Sequence, residues 1–164
     1  MERNIHGHRL SYDDLGTGPA VILLHGYPLC RAMWQPQLKA LSAAGYRGIA
    51  PDLRGFGNSP LVQDPVSMVD YADDVIALMD DLGLGRAVVV GMSMGGYVLF
   101  NLLERYPQRL AGAVFSVTRA AADDAAGKLR RSALAKEVAE GRPQAVVDAF
   151  KEILFAPQTL ADQP

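Results

Sequence analysis

The chain has 164 residues, 49% of them hydrophobic and 21% charged, with a formal net charge of −2. That is enough apolar material for one domain with a packed core, and it excludes a disordered chain. The near-balanced charge gives no electrostatic case for nucleic acid or a membrane surface as partner, and the single cysteine, Cys30, excludes an internal disulfide framework.

In chain order, residues 2–6 and 9–14 read as a hairpin broken at Gly7-His8 and ended by the turn cluster Gly16-Thr17-Gly18-Pro19. Residues 20–25 form a continuous apolar run of the kind that suits a strand buried on both faces. Met33, Trp34, Leu38, Leu41 and Ala44 fall near helical spacing over 32–44, with Gly45 closing the helix, and 46–51 reads as the next strand. Residues 52–66 are loop-like, with Asp52 and Arg54 read as a structural pair shaping that loop. Ser67 followed by Asp70 forms a capping box that opens a helix with Ala72, Val75, Ile76, Met79 and Leu82 on its apolar face. Its acidic residues Asp73, Asp74, Asp80 and Asp81 read mostly as a solvated surface rather than a metal site, and no metal or cofactor is expected. A second apolar strand over 87–90, a helix from about 93 to 105 and a strand over 110–117 follow. Helical patterns then occupy 126–139 and 143–155. The alternation of strand and helix from 20 to 117 predicts an α/β fold with a mainly parallel sheet flanked by helices.

Chemistry concentrates at the strand-to-helix junction Gly91-Met92-Ser93-Met94-Gly95-Gly96, a G-x-S-x-G pattern in strand–turn–helix context. A turn sharp enough to hold a serine hydroxyl clear of the sheet brings the residues two before and two after it too close for side chains. Gly91 and Gly95 meet that demand. Acyl transfer also needs two donors aimed at a developing oxyanion. One is expected to be the Met94 backbone N–H. The other is expected from the turn His25-Gly26-Tyr27-Pro28, at the N–H of Tyr27, with Gly26 allowing close approach. His25 reads as a loop-shaping residue that hydrogen-bonds backbone, and His6 and His8 as surface residues of the first hairpin. Trp34, Phe56 and Tyr97 read as core before pocket.

These motifs, in the order His25-Gly26-Tyr27-Pro28, Asp52-Leu53-Arg54-Gly55-Phe56-Gly57-Asn58-Ser59 and Gly91-Met92-Ser93-Met94-Gly95-Gly96, resemble the α/β-hydrolase superfamily. The closest likeness is to its bacterial esterase, enol-lactonase and cofactor-free haloperoxidase branch. The resemblance implies a serine hydrolase of small esters or lactones, working through an acyl-enzyme with Ser93 as nucleophile. Dehalogenases of this fold use aspartate there, and Ser93 argues against that branch. It also implies a triad in the order Ser, Asp or Glu, then His. No histidine follows His25, and Asp123 and Asp124 are read as surface residues leading into a cap rather than as the acid.

The expectation is therefore a truncated chain, with 1–122 the N-terminal part of the hydrolase core and 123–164 the start of an incomplete helical cap. The alternative is a non-catalytic short homologue that binds a ligand or serves in an assembly. An edge at 110–117, apolar on both faces, points to homo-oligomerisation or cover by the tail. No secretion signal follows the N-terminal charges and no apolar stretch is long enough to span a bilayer, so a cytoplasmic location and no membrane partner are expected.

Overall fold

Ala20–Leu24 (β3) is buried at every position, as its unbroken apolar run requires, and lies inside a six-stranded sheet. The computed structural model describes residues 1–62 and 65–162. Of the predicted loop 52–66 and the tail after 155, residues 63, 64, 163 and 164 lie outside the described residues. The remaining strands are Glu2–Ile5 (β1), His8–Leu15 (β2), Arg47–Pro51 (β4), Ala87–Met92 (β5) and Leu110–Ser116 (β6). Their spatial order is β1-β2-β4-β3-β5-β6. The first hairpin is antiparallel and pairs antiparallel with β4, whereas β4, β3, β5 and β6 are mutually parallel. This is the mainly parallel sheet expected from the strand–helix alternation.

Helices cover both faces. Gln35–Ala43 (α1), entered through a short 3-10 turn at Arg31–Trp34, packs Trp34 and Leu38 against Val21, Leu23 and Ala50. Met68–Asp81 (α2) and Met94–Arg105 (α3) pack on the opposite face against Ile22, Leu24, Ile49 and Val89. Alternate residues of β3 thus feed two separate cores, as the period-two direction of strand side chains dictates. The capping box at α2 is present: Ser67 N–H donates to the Asp70 carboxylate at 2.8 Å and Asp70 N–H donates to Ser67 Oγ at 3.3 Å.

The chain divides into two compact units. One is Met1–Ala120, and the second begins at Ala121. The second unit is helical, with Ala125–Ala139 (α4), Gln144–Leu154 (α5) and Pro157–Asp162 (α6). Asp124 caps α4 by accepting from Gly127 N–H at 2.7 Å, and Asp123 pairs with Arg131. Among the described residues, no helix is long and apolar enough to cross a membrane.

Two expectations are corrected. Asp52 and Arg54 are not partners. Asp52 pairs with the Arg31 guanidinium, and its carboxylate also accepts from Arg31 N–H and Asn58 N–H, both at 2.8 Å. Arg54 instead reaches α2 and grips Asp74 with two nitrogens, at 2.5 and 2.7 Å. Side chains two apart on a loop diverge, and each finds the opposite charge that the fold presents to it. Asp74 is accordingly not on the solvated face of its helix: it is 1% exposed, and His6 and His8 of the first hairpin lie against its carboxylate. His8 is correspondingly mostly buried, with 12% of its side chain exposed, while His6 is half-exposed.

Candidate active site

In the sheet order, β4 lies on one side of β3 and β5 on the other. The chain therefore reverses direction across the sheet between β3 and β5, and the crevice beyond their carboxyl ends is where open α/β sheets hold ligands. The register pairs Leu24 with Gly91, so the turn after β3 and the turn after β5 emerge side by side. The first carries His25, Gly26 and Tyr27; the second carries Ser93.

Ser93 has φ 50° and ψ −111°, a left-handed backbone that a residue with a side chain adopts only when its surroundings force it. Close packing supplies the force. A Cβ on Gly91 would stand 2.5 Å from the Gly95 carbonyl oxygen, and one on Gly95 would stand 2.4 Å from the Leu24 carbonyl oxygen. Neither atom can yield, because both belong to backbone. Gly26 completes the contact: a Cβ there would lie 2.6 Å from Met92 Sδ and 3.2 Å from Ser93 Cβ. The three glycines thus bring the two turns into direct contact around the serine. Met94 opens α3, so its N–H has no carbonyl acceptor within that helix. The positive end of the helix dipole also falls at Ser93.

His25 is fully buried and both ring nitrogens are engaged. Leu53 N–H donates to Nε2 at 3.1 Å, which places the imidazole proton on Nδ1, from where it donates to the Gly26 carbonyl at 3.0 Å. Burial pushes its pKa below the usual imidazole value, opposed by the Gly26 hydrogen bond and the Asp52 charge. His25 is thus a neutral strut between two turns, as its place in the sequence suggested. Phe56 packs edge-on against His25 (5.2 Å) and Tyr27 (6.0 Å), joining the 53–59 loop to the same turn. Gly26 O also accepts from Leu29 N–H at 2.9 Å, closing the turn. Tyr27 is exposed. Trp34 is in the core under α1, and Tyr97 is partly buried against the core on the opposite face of the sheet. Among the described residues, no group of three or more His, Cys, Asp or Glu is disposed to hold a metal ion.

One contributor was not anticipated. Beyond β6, Thr118 Oγ1 donates to the Ser93 carbonyl at 2.9 Å, and Ser93 N–H donates to the Ser116 carbonyl at 2.9 Å. The second glycine after the nucleophile was the available signal. A Cβ on Gly96 would fall 2.5 Å from Thr118 Oγ1 and Cγ2, so Gly96 is the space that Thr118 occupies.

Comparison with known proteins agrees with this fold. The alpha/beta hydrolase fold family matches residues 19–149, and the chain belongs to that family. A non-heme chloroperoxidase, CPO-A1 of Kitasatospora aureofaciens, is 44% identical over 100 residues, covering 61% of this chain and 36% of that protein. Bifunctional epoxide hydrolase 2 of Sus scrofa is 37% identical over 106 residues, covering 63% of this chain and 19% of that protein. The structure of a thermophilic esterase from Thermogutta terrifontis superposes with a TM-score of 0.87 at 36% identity, covering 100% of this chain and 62% of that one. The chain therefore spans about a third or less of these two curated relatives.

Proposed function

We propose that this chain carries the nucleophile and oxyanion site of a serine hydrolase acting on small carboxylic esters, or on lactones as cyclic esters, through an acyl-enzyme. The observation that carries the reading is the left-handed Ser93 backbone, locked between Gly91, Gly95 and Gly26 at the switch point of the sheet. Ser93 Oγ adds to the ester carbonyl carbon, and the π pair moves to the carbonyl oxygen. The Tyr27 and Met94 N–H groups hold that oxyanion. Collapse re-forms the carbonyl and expels the alkoxide, which takes up the proton the serine gave. Water then repeats the addition and releases the acid.

The serine also separates this reading from epoxide opening, the activity named for several relatives, bifunctional epoxide hydrolase 2 among them. A serine oxygen attacking an epoxide carbon would form an ether. An ether has no carbonyl through which water could free the product, so the cycle would stop after one event. An ester or lactone leaves an acyl group that water can remove.

Serine is a weak nucleophile until a base takes its proton. His25 is tied at both nitrogens, and His6 and His8 lie against Asp74. The reading therefore assigns the base to an imidazole outside residues 1–164, on the same polypeptide or on another. The same engagement of all three imidazoles favours a second reading, ligand binding without turnover.

Incubation with p-nitrophenyl acetate and with a small lactone, wild type beside Ser93→Ala, tests the proposal by intact mass and product release. A single acyl group that forms slowly on wild type over prolonged incubation, the base being outside this chain, and is absent from the variant is the expected result. Equal product release by both proteins overturns it. Saturable binding of the ester-derived acid without acylation identifies the second reading.

A further inference from the structure

The Ser93–Met94 peptide group lies at the centre of the proposed site, and its two ends have different duties. Its carbonyl accepts two hydrogen bonds, from Gly96 N–H at 2.9 Å and from Thr118 Oγ1 at 2.9 Å. Its N–H is the Met94 donor proposed for the oxyanion. A trans peptide is planar, so its C=O and N–H point in opposite directions, and fixing one fixes the other. The Gly96 bond is local to the first turn of α3. The Thr118 bond comes from beyond β6, 25 residues away, and it is the one that ties this peptide to the sheet.

The surroundings of Thr118 are built for that contact. Gly96 leaves the space that the threonine side chain fills. Val117, immediately before it, takes φ 47° although it is β-branched and 82% exposed, so no packing of its own side chain accounts for the strain. That turn lies between Ser116, whose carbonyl takes the Ser93 N–H, and Thr118, whose hydroxyl reaches the Ser93 carbonyl. Both peptide groups flanking the nucleophile are thereby held from the same three-residue segment.

We infer that Thr118 is a positioning residue for oxyanion stabilisation: its hydroxyl orients and polarises the Ser93–Met94 peptide so that Met94 N–H is aimed at the developing charge. A hydrogen bond to an amide carbonyl draws electron density from the nitrogen and strengthens the N–H as a donor. Thr118 touches no reacting atom; it acts through the peptide. This inference rests on the proposed roles of Ser93 and Met94.

The test compares wild type, Thr118→Val and Thr118→Ser. Valine keeps the shape and loses the hydroxyl; serine keeps the hydroxyl and loses the methyl. Two quantities are read: the amide ¹⁵N resonance of Met94, and the rate at which a fluorophosphonate modifies Ser93. The expected result is an upfield move of the Met94 resonance in Thr118→Val, restored in Thr118→Ser. Phosphonylation should be about three- to tenfold slower in the valine variant than in the serine variant, the scale of one weakened hydrogen bond. A Met94 resonance in folded Thr118→Val that coincides with wild type overturns the inference, as do equal phosphonylation rates. Wild type that is never phosphonylated overturns the nucleophile reading instead, and the resonance alone then decides whether Thr118 holds the peptide.

Discussion

The two flanks of Ser93 are built differently. On the β3 side, the turn rises from an interior strand. Backbone meets backbone at van der Waals limits, through Gly95 against Leu24 and Gly26 against Met92, and His25 seals the turn with two hydrogen bonds and no exposure. On the β6 side, the support comes from the edge of the sheet, since β6 pairs only with β5 among the described residues. Val114 is 47% exposed and Phe115 40%. There the elbow is held by two hydrogen bonds, and one residue of the support is itself strained. One flank enforces the nucleophile's geometry by exclusion, the other by attraction. Elements with few buried contacts open more readily, so the second flank should be the weaker.

The largest effect should come from breaking the excluding flank. Gly95→Ala places a methyl 2.4 Å from a backbone oxygen that cannot move away, and the expected loss is about 3 kcal/mol or more in denaturant unfolding. His25→Ala is next. It strands the Leu53 N–H and opens a cavity, with an expected cost of about 2–3 kcal/mol.

His25 also sets a pH dependence. Its folded pKa lies below the ordinary 6.5 because burial resists the charge. The unfolded chain therefore binds the proton more readily. The stability contribution is complete above 6.5 and falls away as pH drops below it towards the folded value. Urea unfolding from pH 8 to pH 5 should show this decline in wild type, and a shallower one in His25→Ala.

Smaller effects should appear as gains. Ser93→Gly removes the cost of a left-handed backbone on a residue with a side chain and should raise stability by about 1 kcal/mol while abolishing any Ser93-dependent acylation. Val117→Gly relieves the corresponding strain on the β6 flank without losing packing. The expected gain is about 0.5 kcal/mol, the entropy of an added glycine offsetting part of the relief. A larger gain from Val117→Gly than from Ser93→Gly would reverse the comparison and make the β6 turn the principal store of strain.

What the sequence revealed follows the range of the interactions involved. The apolar runs at 20–25 and 87–90, which became strands over 20–24 and 87–92, the capping box at Ser67 and the glycines around Ser93 are local demands of the chain, and each was legible. The loop-shaping role of His25 was legible too, because a polar residue ending a buried strand must satisfy itself on nearby backbone. Partner choice was not. Asp52 and Arg54 are near in sequence, yet their partners are Arg31 and Asp74, about twenty residues away in opposite directions. The sequence pattern read Asp74 with the solvated acidic surface of α2, because nothing local showed the guanidinium that holds it inward. Nothing in the sequence linked Thr118 to the elbow; the second glycine, Gly96, leaves the space that its side chain fills.

The most direct test of the central claim, that Ser93 is a nucleophile rather than the inherited shape of one, is intact-mass labelling with a fluorophosphonate, wild type beside Ser93→Ala. With the base outside residues 1–164, the account requires a slow single adduct on wild type, sustained by the oxyanion site alone, that maps to Ser93 and is missing from the variant. An unmodified wild type, or an adduct that survives Ser93→Ala, would contradict it.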